Sequence, residues 1–337
     1  MIRIAINGFG RIGRNAFKIA FARDDLEIVA INDLTDTKTL AHLLKYDSNY
    51  GTYQRAVSSD DTHVIVDNKA IEVTAIKEPD KLPWNKLRVD VAIESTGLFT
   101  HHSDLKKHLL AGAKRVVLSA PEKDDHTHDT YVIGANEKDL KAEHQIVDNA
   151  SCTTNCIAPV MAVLSQEIGI EKSLMTTVHS YTASQVLQDG PAKDIREARA
   201  AAENIVPTTT GAAIAAALTV PELKGAFDGL SIRVPTPVVS ISDITFVAKR
   251  KTSVEELNNV LTKAAQSTHR GIIAVTEEEL VSSDYIGDSR SAIIDSQLTN
   301  VVGDNLCKVV AWYDNEWGYS NRLVEMVALV GSKIKDN

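Results

Sequence analysis

Hydrophobic and polar positions follow two rhythms along the first half of the chain. Ile2–Asn7 is a short continuous apolar run, and a helical spacing occupies residues 14 to about 21. Residues 27–32 form a second apolar run that ends in Asp33. Residues 63–66 and 70–75 alternate around the turn-forming pair Asp67-Asn68, which predicts a hairpin. Residues 89–95 read as a buried strand closed by Thr96-Gly97, and 104–111 as a helix with Gly112 near its end. The next strand, 115–119, is stopped by Pro121. Strands alternating with helices indicate an α/β unit with a mostly parallel sheet over residues 1–150.

From residue 145 the rhythm changes. A strand-like segment, 145–147, precedes Asn149-Ala150-Ser151-Cys152-Thr153-Thr154-Asn155-Cys156. Ile157, Val160, Met161, Leu164 and Ile168 then recur at helical spacing. Pro159 lies inside that pattern and predicts a kink, because it cannot donate its backbone hydrogen bond. A strand at 175–178 ends at His179, and residues 180–199 are a long polar stretch punctuated by Asp189-Gly190-Pro191. So long a loop in a compact domain is usually functional or held by a partner subunit. Further on come an alanine-rich helix, 212–218, a strand at 230–234 and an amphipathic helix, 254–266. The closing segment, from LCKVVAWY on, predicts strand, turn and terminal helix.

Gly8-Phe9-Gly10-Arg11-Ile12-Gly13 stands between the first strand and its helix. In this setting Gly8 permits a tight turn, Gly10 lets a pyrophosphate approach the backbone, and Gly13 allows close helix–strand packing. Asp33 follows Gly13 by 20 residues, where a carboxylate reaches the adenosine ribose hydroxyls. It would repel a 2′-phosphate, and Leu34 and Thr35 bring no compensating cation, so NAD is favoured over NADP. Ser95, Thr96, Gly97 and Ser119 sit at carboxyl ends of strands, as cofactor neighbours or as ordinary turn residues.

Cys152 falls where a strand turns into a helix, among hydroxyls that could hold an anion. A helix N-terminus lowers a thiol pKa toward the reactive thiolate, so Cys152 reads as a nucleophile; the alternative is a buried structural cysteine. That alternative suits Cys156 and Cys307 better. His179, 27 residues after Cys152, can be brought beside it by one helix and a return strand, as a thiolate–imidazole pair requires. Thr208, Thr209, Thr210 and Gly211 open the alanine-rich helix as a second anion site. Arg233 suits a phosphate, with a surface salt bridge as the alternative, and Asn315 could offer its amide to a cofactor ring.

The 337 residues suffice for two domains, and a formal charge of −9 argues against a general nucleic-acid binder. No apolar run approaches the length of a membrane span, and the N-terminus reads as a strand, not a signal peptide. Three cysteines without a framework of spacings indicate a reducing, cytoplasmic setting. His101-His102 and His126-x-His128 lie in polar stretches without further metal ligands and read as solvated loop, so no metal is expected.

NGFGRIGRN, INDL, KYDS, ESTG, NASCTTNC, TTVHSYTASQ, PTTTGAA, RVPTP and WYDNEWGYSNR occur together in this chain. With them the sequence resembles the phosphorylating glyceraldehyde-3-phosphate dehydrogenases from residue 1 to about residue 330. The resemblance implies a Rossmann NAD-binding domain over 1–150 and a catalytic domain with a mixed sheet over 151–315. It also implies a terminal helix, 316–337, packing back on the first domain, and a homotetramer in which the 180–199 loop lies at a subunit contact. Cys152 would attack the aldehyde of glyceraldehyde 3-phosphate while His179 takes and returns the proton, and inorganic phosphate would release the thioester as 1,3-bisphosphoglycerate. Thr182 and Arg233 match the substrate-phosphate site, and Ser151, Thr153, Thr210 and Gly211 match residues holding the attacking phosphate or substrate. Arg11, Ile12, Asp33, Lys77, Ser119 and Asn315 match cofactor contacts.

The chain departs from many bacterial members at Ala183-Ser184 (for Asn-Asp), Glu197 (for arginine) and Ile214 (for lysine), which predicts weaker phosphate binding. Two other readings compete: an erythrose-4-phosphate dehydrogenase, and a nucleotide-binding interaction protein without catalysis. PTTTGAA and SYTASQ speak against the first, and the intact Cys152 and His179 against the second.

Overall fold

The structure is a computed structural model that describes residues 1–124 and 129–334; His126 and His128 lie outside the described residues. The chain divides into two compact units. The first comprises Met1–Tyr131, Lys138–Ala150 and Ser320–Asn337, the second Val132–Glu137 and Ser151–Tyr319. Among the described residues no helix is long and apolar enough to cross a membrane.

The first unit is built on an eight-stranded sheet. In spatial order its strands are Ile146–Asp148, Arg115–Leu118, Val91–Glu94, Ile2–Asn7, Leu26–Asn32, Lys69–Thr74, His63–Val66 and Val57–Ser59. The first six run parallel, and at the edge His63–Val66 and then Val57–Ser59 are each antiparallel to the strand before them. Central strands covered on both faces must be apolar throughout. Ile4, Ala5, Ile6, Val91, Ala92 and Ile93 accordingly have no exposed surface. The hairpin forms at Asp67-Asn68, whose φ values of 47° and 67° are those of a type I′ turn. Its second strand begins at Lys69, one residue earlier than the sequence pattern indicates, because the two turn residues pair Val66 directly with Lys69. Along the terminal helix Trp317–Ser332, Gly331 packs against Ile2 so closely that a Cβ would come 2.7 Å from its side chain.

A fully buried carboxylate organises the middle of this sheet. Glu94 accepts from Asn7 Nδ2 (2.5 Å), His108 Nε2 (3.0 Å), Thr96 N (2.8 Å) and Thr96 Oγ1 (2.5 Å). The indole N–H of Trp84 can only donate, and it points at His108 Nδ1 from 3.0 Å. His108 is therefore the neutral tautomer with its proton on Nε2, directed at Glu94. Four donors meet the acceptor capacity of one carboxylate, so its burial leaves no lone pair stranded.

The second unit is a mixed sheet. Its strands run Val206–Thr209, Phe227–Val234, Ile170–Ser180, Ser240–Ala248, Leu306–Tyr313, Ala292–Asp295 and Ile273–Thr276, and Asn300–Val302 also pairs with Leu306–Tyr313. Strict alternation of burial along Ser240–Ala248 marks one face as covered. Cys152–Glu167 packs with Ala212–Thr219 and Val254–Gln266, and it is continuous through Pro159. The strand expected at 175–178 extends over Ile170–Ser180, so His179 is a strand residue and does not sit beyond its end.

Candidate active site

In the first unit the glycine turn is held from three sides. Gly8 has φ +92° and lies so near the next strand's end that a Cβ would be 2.6 Å from Thr96 N. A Cβ on Gly13 would come 2.1 Å from Gly8 O, whereas one on Gly10 would meet nothing within 4 Å. Ser95 donates to Gly8 O (2.8 Å), so this predicted cofactor neighbour fastens the turn itself. The helix covers Arg11–Phe21 and starts three residues before the periodic stretch suggests, since extended Gly10 caps it and accepts from Arg14 N (3.0 Å).

Asp33 accepts from Phe9 N (2.8 Å) and Thr35 N (3.0 Å), which sets its carboxylate at the turn with lone pairs to spare. Open space beside Gly10, the helix N-terminus and this carboxylate together fit a dinucleotide. Arg11 is engaged with Asp47 (2.7 Å) and lies over the Tyr50 ring, and Ile12 is half-buried. Lys77 is exposed beyond Lys69–Thr74, and Ser119 is half-buried with its N–H bonded to Glu94 O (2.9 Å). The paired histidines of this unit are not bare loop residues. His101 meets Asp124 (2.7 Å), and His102 opens the helix His102–Leu110 and meets Glu122 (3.2 Å). No group of three or more metal-ligating side chains occurs among the described residues.

In the second unit Ser151 caps the helix by accepting from Thr154 N (3.0 Å), and Cys152 is the first helical residue. Cys152 is half-buried, while Cys156 and Cys307 are sealed in the core. His179 Nε2 lies 3.4 Å from Cys152 Sγ. His179 and Arg233 are direct partners on adjacent parallel strands, so both side chains leave the sheet on one face. Arg233 Nη1 is 2.5 Å from His179 Nδ1, and among the described residues it forms no surface salt bridge.

The sequence suggests a lowered thiol pKa; the structure gives the opposite direction. Burial pushes the Cys152 thiol up, only partly opposed by the Arg233 charge and a hydrogen bond from Thr153. Burial, followed by the Arg233 charge, pulls His179 down to about 3. Burial likewise pushes Cys307 up to about 11, and Cys156 further, which leaves Cys152 as the reactive sulfur.

The hydroxyls near Cys152 are largely used within the protein. Thr153 Oγ1 meets Tyr313 OH (2.9 Å), which also meets Thr177 Oγ1 (2.8 Å), and Ser151 Oγ meets Thr154 Oγ1 (2.7 Å). Tyr313 is a site residue that sequence reasoning missed, since the apolar strand LCKVVAWY gives no sign of where its last hydroxyl points. Thr182 Oγ1 meets Ser184 Oγ (3.0 Å), and Thr210 Oγ1 accepts from Ala212 N (3.2 Å) at the exposed Gly211 turn. Thr208 donates to Glu197 (3.2 Å), and Ile214 is 66% exposed. Asn315 is buried, its carboxamide oxygen accepting from Ser240 Oγ (3.1 Å), so its NH2 remains the donor end.

Comparison with known proteins gives one consistent result. Residues 2–102 match the family model for the glyceraldehyde 3-phosphate dehydrogenase NAD binding domain, and residues 151–315 match the one for the C-terminal domain. The chain is 51% identical to the glyceraldehyde-3-phosphate dehydrogenase of Geobacillus stearothermophilus, over 98% of this chain and 99% of that one. It is 51% identical to the Mycolicibacterium smegmatis protein of that name, with 99% of each covered. Glyceraldehyde-3-phosphate dehydrogenase 1 of Bacillus subtilis is 49% identical, over 98% of this chain and 99% of that one.

Proposed function

Because the chain belongs to the glyceraldehyde-3-phosphate dehydrogenase family, we propose that it oxidises D-glyceraldehyde 3-phosphate and couples the oxidation to phosphorylation. It is an NAD-dependent oxidoreductase. The observation that carries the chemistry is the 3.4 Å approach of Cys152 Sγ to His179 Nε2 at a helix N-terminus. Cys152 adds to the aldehyde carbon while His179 moves the proton, and the backbone amides of the helix start stabilise the resulting oxyanion. The Gly8–Gly13 turn and Asp33 would hold NAD, which would supply the hydride acceptor. What remains on Cys152 is a thioester, which keeps the free energy of oxidation in a reactive acyl group. Inorganic phosphate takes that acyl group and gives 1,3-bisphosphoglycerate.

Arg233 and Thr182 are assigned to the substrate phosphate, and Ser151, Thr153, Thr210 and Gly211 to the attacking phosphate. Support for the first assignment is the guanidinium beside His179. Support for the second is the exposed hydroxyl-rich turn at the start of Ala212–Thr219. We further propose a homotetramer working in the cytoplasm. Leu174 (67% exposed) and Leu230 (45%) on one sheet face support assembly, and three unpaired cysteines support a reducing setting.

The test is NADH formation from glyceraldehyde 3-phosphate with and without inorganic phosphate, with erythrose 4-phosphate as the comparison substrate. Higher kcat/KM on the erythrose compound would move the assignment to the sibling activity. Cys152→Ser should abolish turnover while leaving NAD binding intact, since a hydroxyl is not ionised at neutral pH. His179→Asn should cost roughly 10²–10⁴ in rate, the usual range for a general acid–base group. Turnover near wild type in either variant would remove that residue from the mechanism.

A further inference from the structure

Two lines of hydrogen bonds converge on Glu94 in the first unit, and neither can run the other way. The first starts at the Trp84 indole, which only donates, passes through His108 and ends on Glu94 Oε2. The second starts at the backbone of Ile76. Its N–H donates to Asn32 Oδ1 (2.9 Å) and its carbonyl accepts from Asn32 Nδ2 (2.9 Å), so that carboxamide cannot be turned over. Asn32 Nδ2 also donates to Asn7 Oδ1 (2.7 Å), which leaves Asn7 Nδ2 as the end facing Glu94. Asn7 pairs in register with Asn32 on one side and Glu94 on the other, at the carboxyl ends of adjacent parallel strands, and all three are buried. Each of these neighbours brings a hydrogen to Glu94, which has to be an acceptor on both oxygens.

Oε1 holds Thr96 through its N–H and its hydroxyl, and Thr96 Oγ1 accepts in turn from Leu98 N (3.1 Å). These bonds set Thr96 against Gly8, where there is no slack, because a Cβ on Gly8 would come 2.6 Å from Thr96 N. We infer that Trp84 and His108 are positioning residues for cofactor binding. The indole fixes which imidazole nitrogen bears the proton, the imidazole thereby donates to Glu94, and Glu94 sets the strand end at Thr96 against the glycine turn. This rests on the assignment of the Gly8–Gly13 turn to NAD, and it adds that the turn is shaped by an indole that has no exposed surface of its own. Such a relay behaves differently from plain core filling. In Glu94→Gln the amide oxygen can keep Thr96, and the NH2 then faces the donors of Asn7 and His108. Asn7 cannot reverse, because Asn32 is fixed by Ile76. His108 can move its proton to Nδ1 and accept from the new amide, but only once the Trp84 N–H is gone. Trp84→Phe therefore costs the wild type a hydrogen bond and relieves Glu94→Gln of a conflict.

Calorimetric NAD binding to the full chain tests this, with the ¹⁵N shifts of the His108 ring as a second readout. Wild type without cofactor should show Nε2 protonated and Nδ1 bare. Glu94→Gln should weaken NAD binding by about tenfold or more, since a buried donor left facing a donor loses its hydrogen bond outright. Trp84→Phe on its own should bring no gain in affinity. Added to Glu94→Gln it should recover part of the loss, with the His108 ring now protonated at Nδ1. Unchanged affinity in Glu94→Gln, or a double variant that binds NAD no more tightly than Glu94→Gln, overturns the relay. So does a wild-type ring protonated at Nδ1, a result that needs no variant to fold. The wild-type titration separates the two levels. NAD binding by wild type with losses that merely accumulate in the variants removes only the relay, whereas absence of NAD binding removes the assignment of the turn beneath it.

Discussion

Glu197 accepts a hydrogen bond from Thr208, two residues before Thr210 at the turn assigned to the attacking phosphate. A carboxylate so close both repels a phosphate dianion and occupies a hydroxyl that could otherwise turn to it. Charge-assisted bonds to phosphate are about twice as strong as neutral ones, so exchanging the carboxylate for a guanidinium should be felt in affinity. Glu197→Arg is expected to lower the phosphate KM, and to change the aldehyde KM less because Thr182 and Arg233 are untouched. Steady-state titration of phosphate on both proteins checks this; an unchanged or raised KM in the variant would place residue 197 outside the phosphate's reach. At this scale residue types and spacing made Cys152 and His179 legible, but not the sign of the thiol shift. That sign is set by burial outweighing the nearby Arg233 charge, and a linear sequence reveals neither that burial nor that a guanidinium 54 positions downstream will be paired in register with the histidine.

Among the elements, apolar runs and turn residues located most of the helices and the parallel strands of the first sheet, but not the helix Thr37–Lys45 or the strands Val57–Ser59, Val206–Thr209, Ser240–Ala248, Ile273–Thr276 and Ala292–Asp295; where an element was located, its bounds differ where backbone geometry decides. The first helix begins at Arg11 because extended Gly10 caps it, and the strand holding His179 continues to Ser180 because it pairs with Phe227–Val234 along its length. The Trp84–His108–Glu94 chain was not legible. Its partners lie 24 and 14 residues apart in sequence, and each residue alone reads as ordinary core or loop. The strand–turn–helix–strand unit that was legible carries its own prediction. Asp33 ties the end of Leu26–Asn32 to the glycine turn through Phe9 N. Asp33→Ala removes both the ribose acceptor and the repulsion toward a 2′-phosphate, so NAD binding should weaken and the preference over NADP narrow. Competition binding with the two dinucleotides measures it. An unchanged ratio would mean that the carboxylate serves the turn alone.

For the molecule as a whole, one buried acid links stability to pH. Burial raises Asp148 to about 6, above the ordinary carboxylate value it has when unfolded. The folded state therefore binds the proton more tightly. The stability this confers is complete below the unfolded pKa and is lost as pH rises through the folded one, by about 3 kcal/mol at most. Asp148→Asn keeps an oxygen for Ala150 N and places an amide opposite Thr130 Oγ1. Its melting temperature should exceed wild type by several degrees at pH 8, and the advantage should vanish near pH 4. A variant less stable at pH 8 would show that nearby groups compensate the carboxylate. Glu94 presents the contrasting case, a buried acid whose every acceptor site is filled. Because those donors include the Thr96 amide beside Gly8, the dinucleotide turn is braced from beneath by the protein's own hydrogen bonds. An incoming cofactor meets a surface already ordered, so association spends little on folding the loop, and amide exchange at Thr96 should be slow even before anything binds.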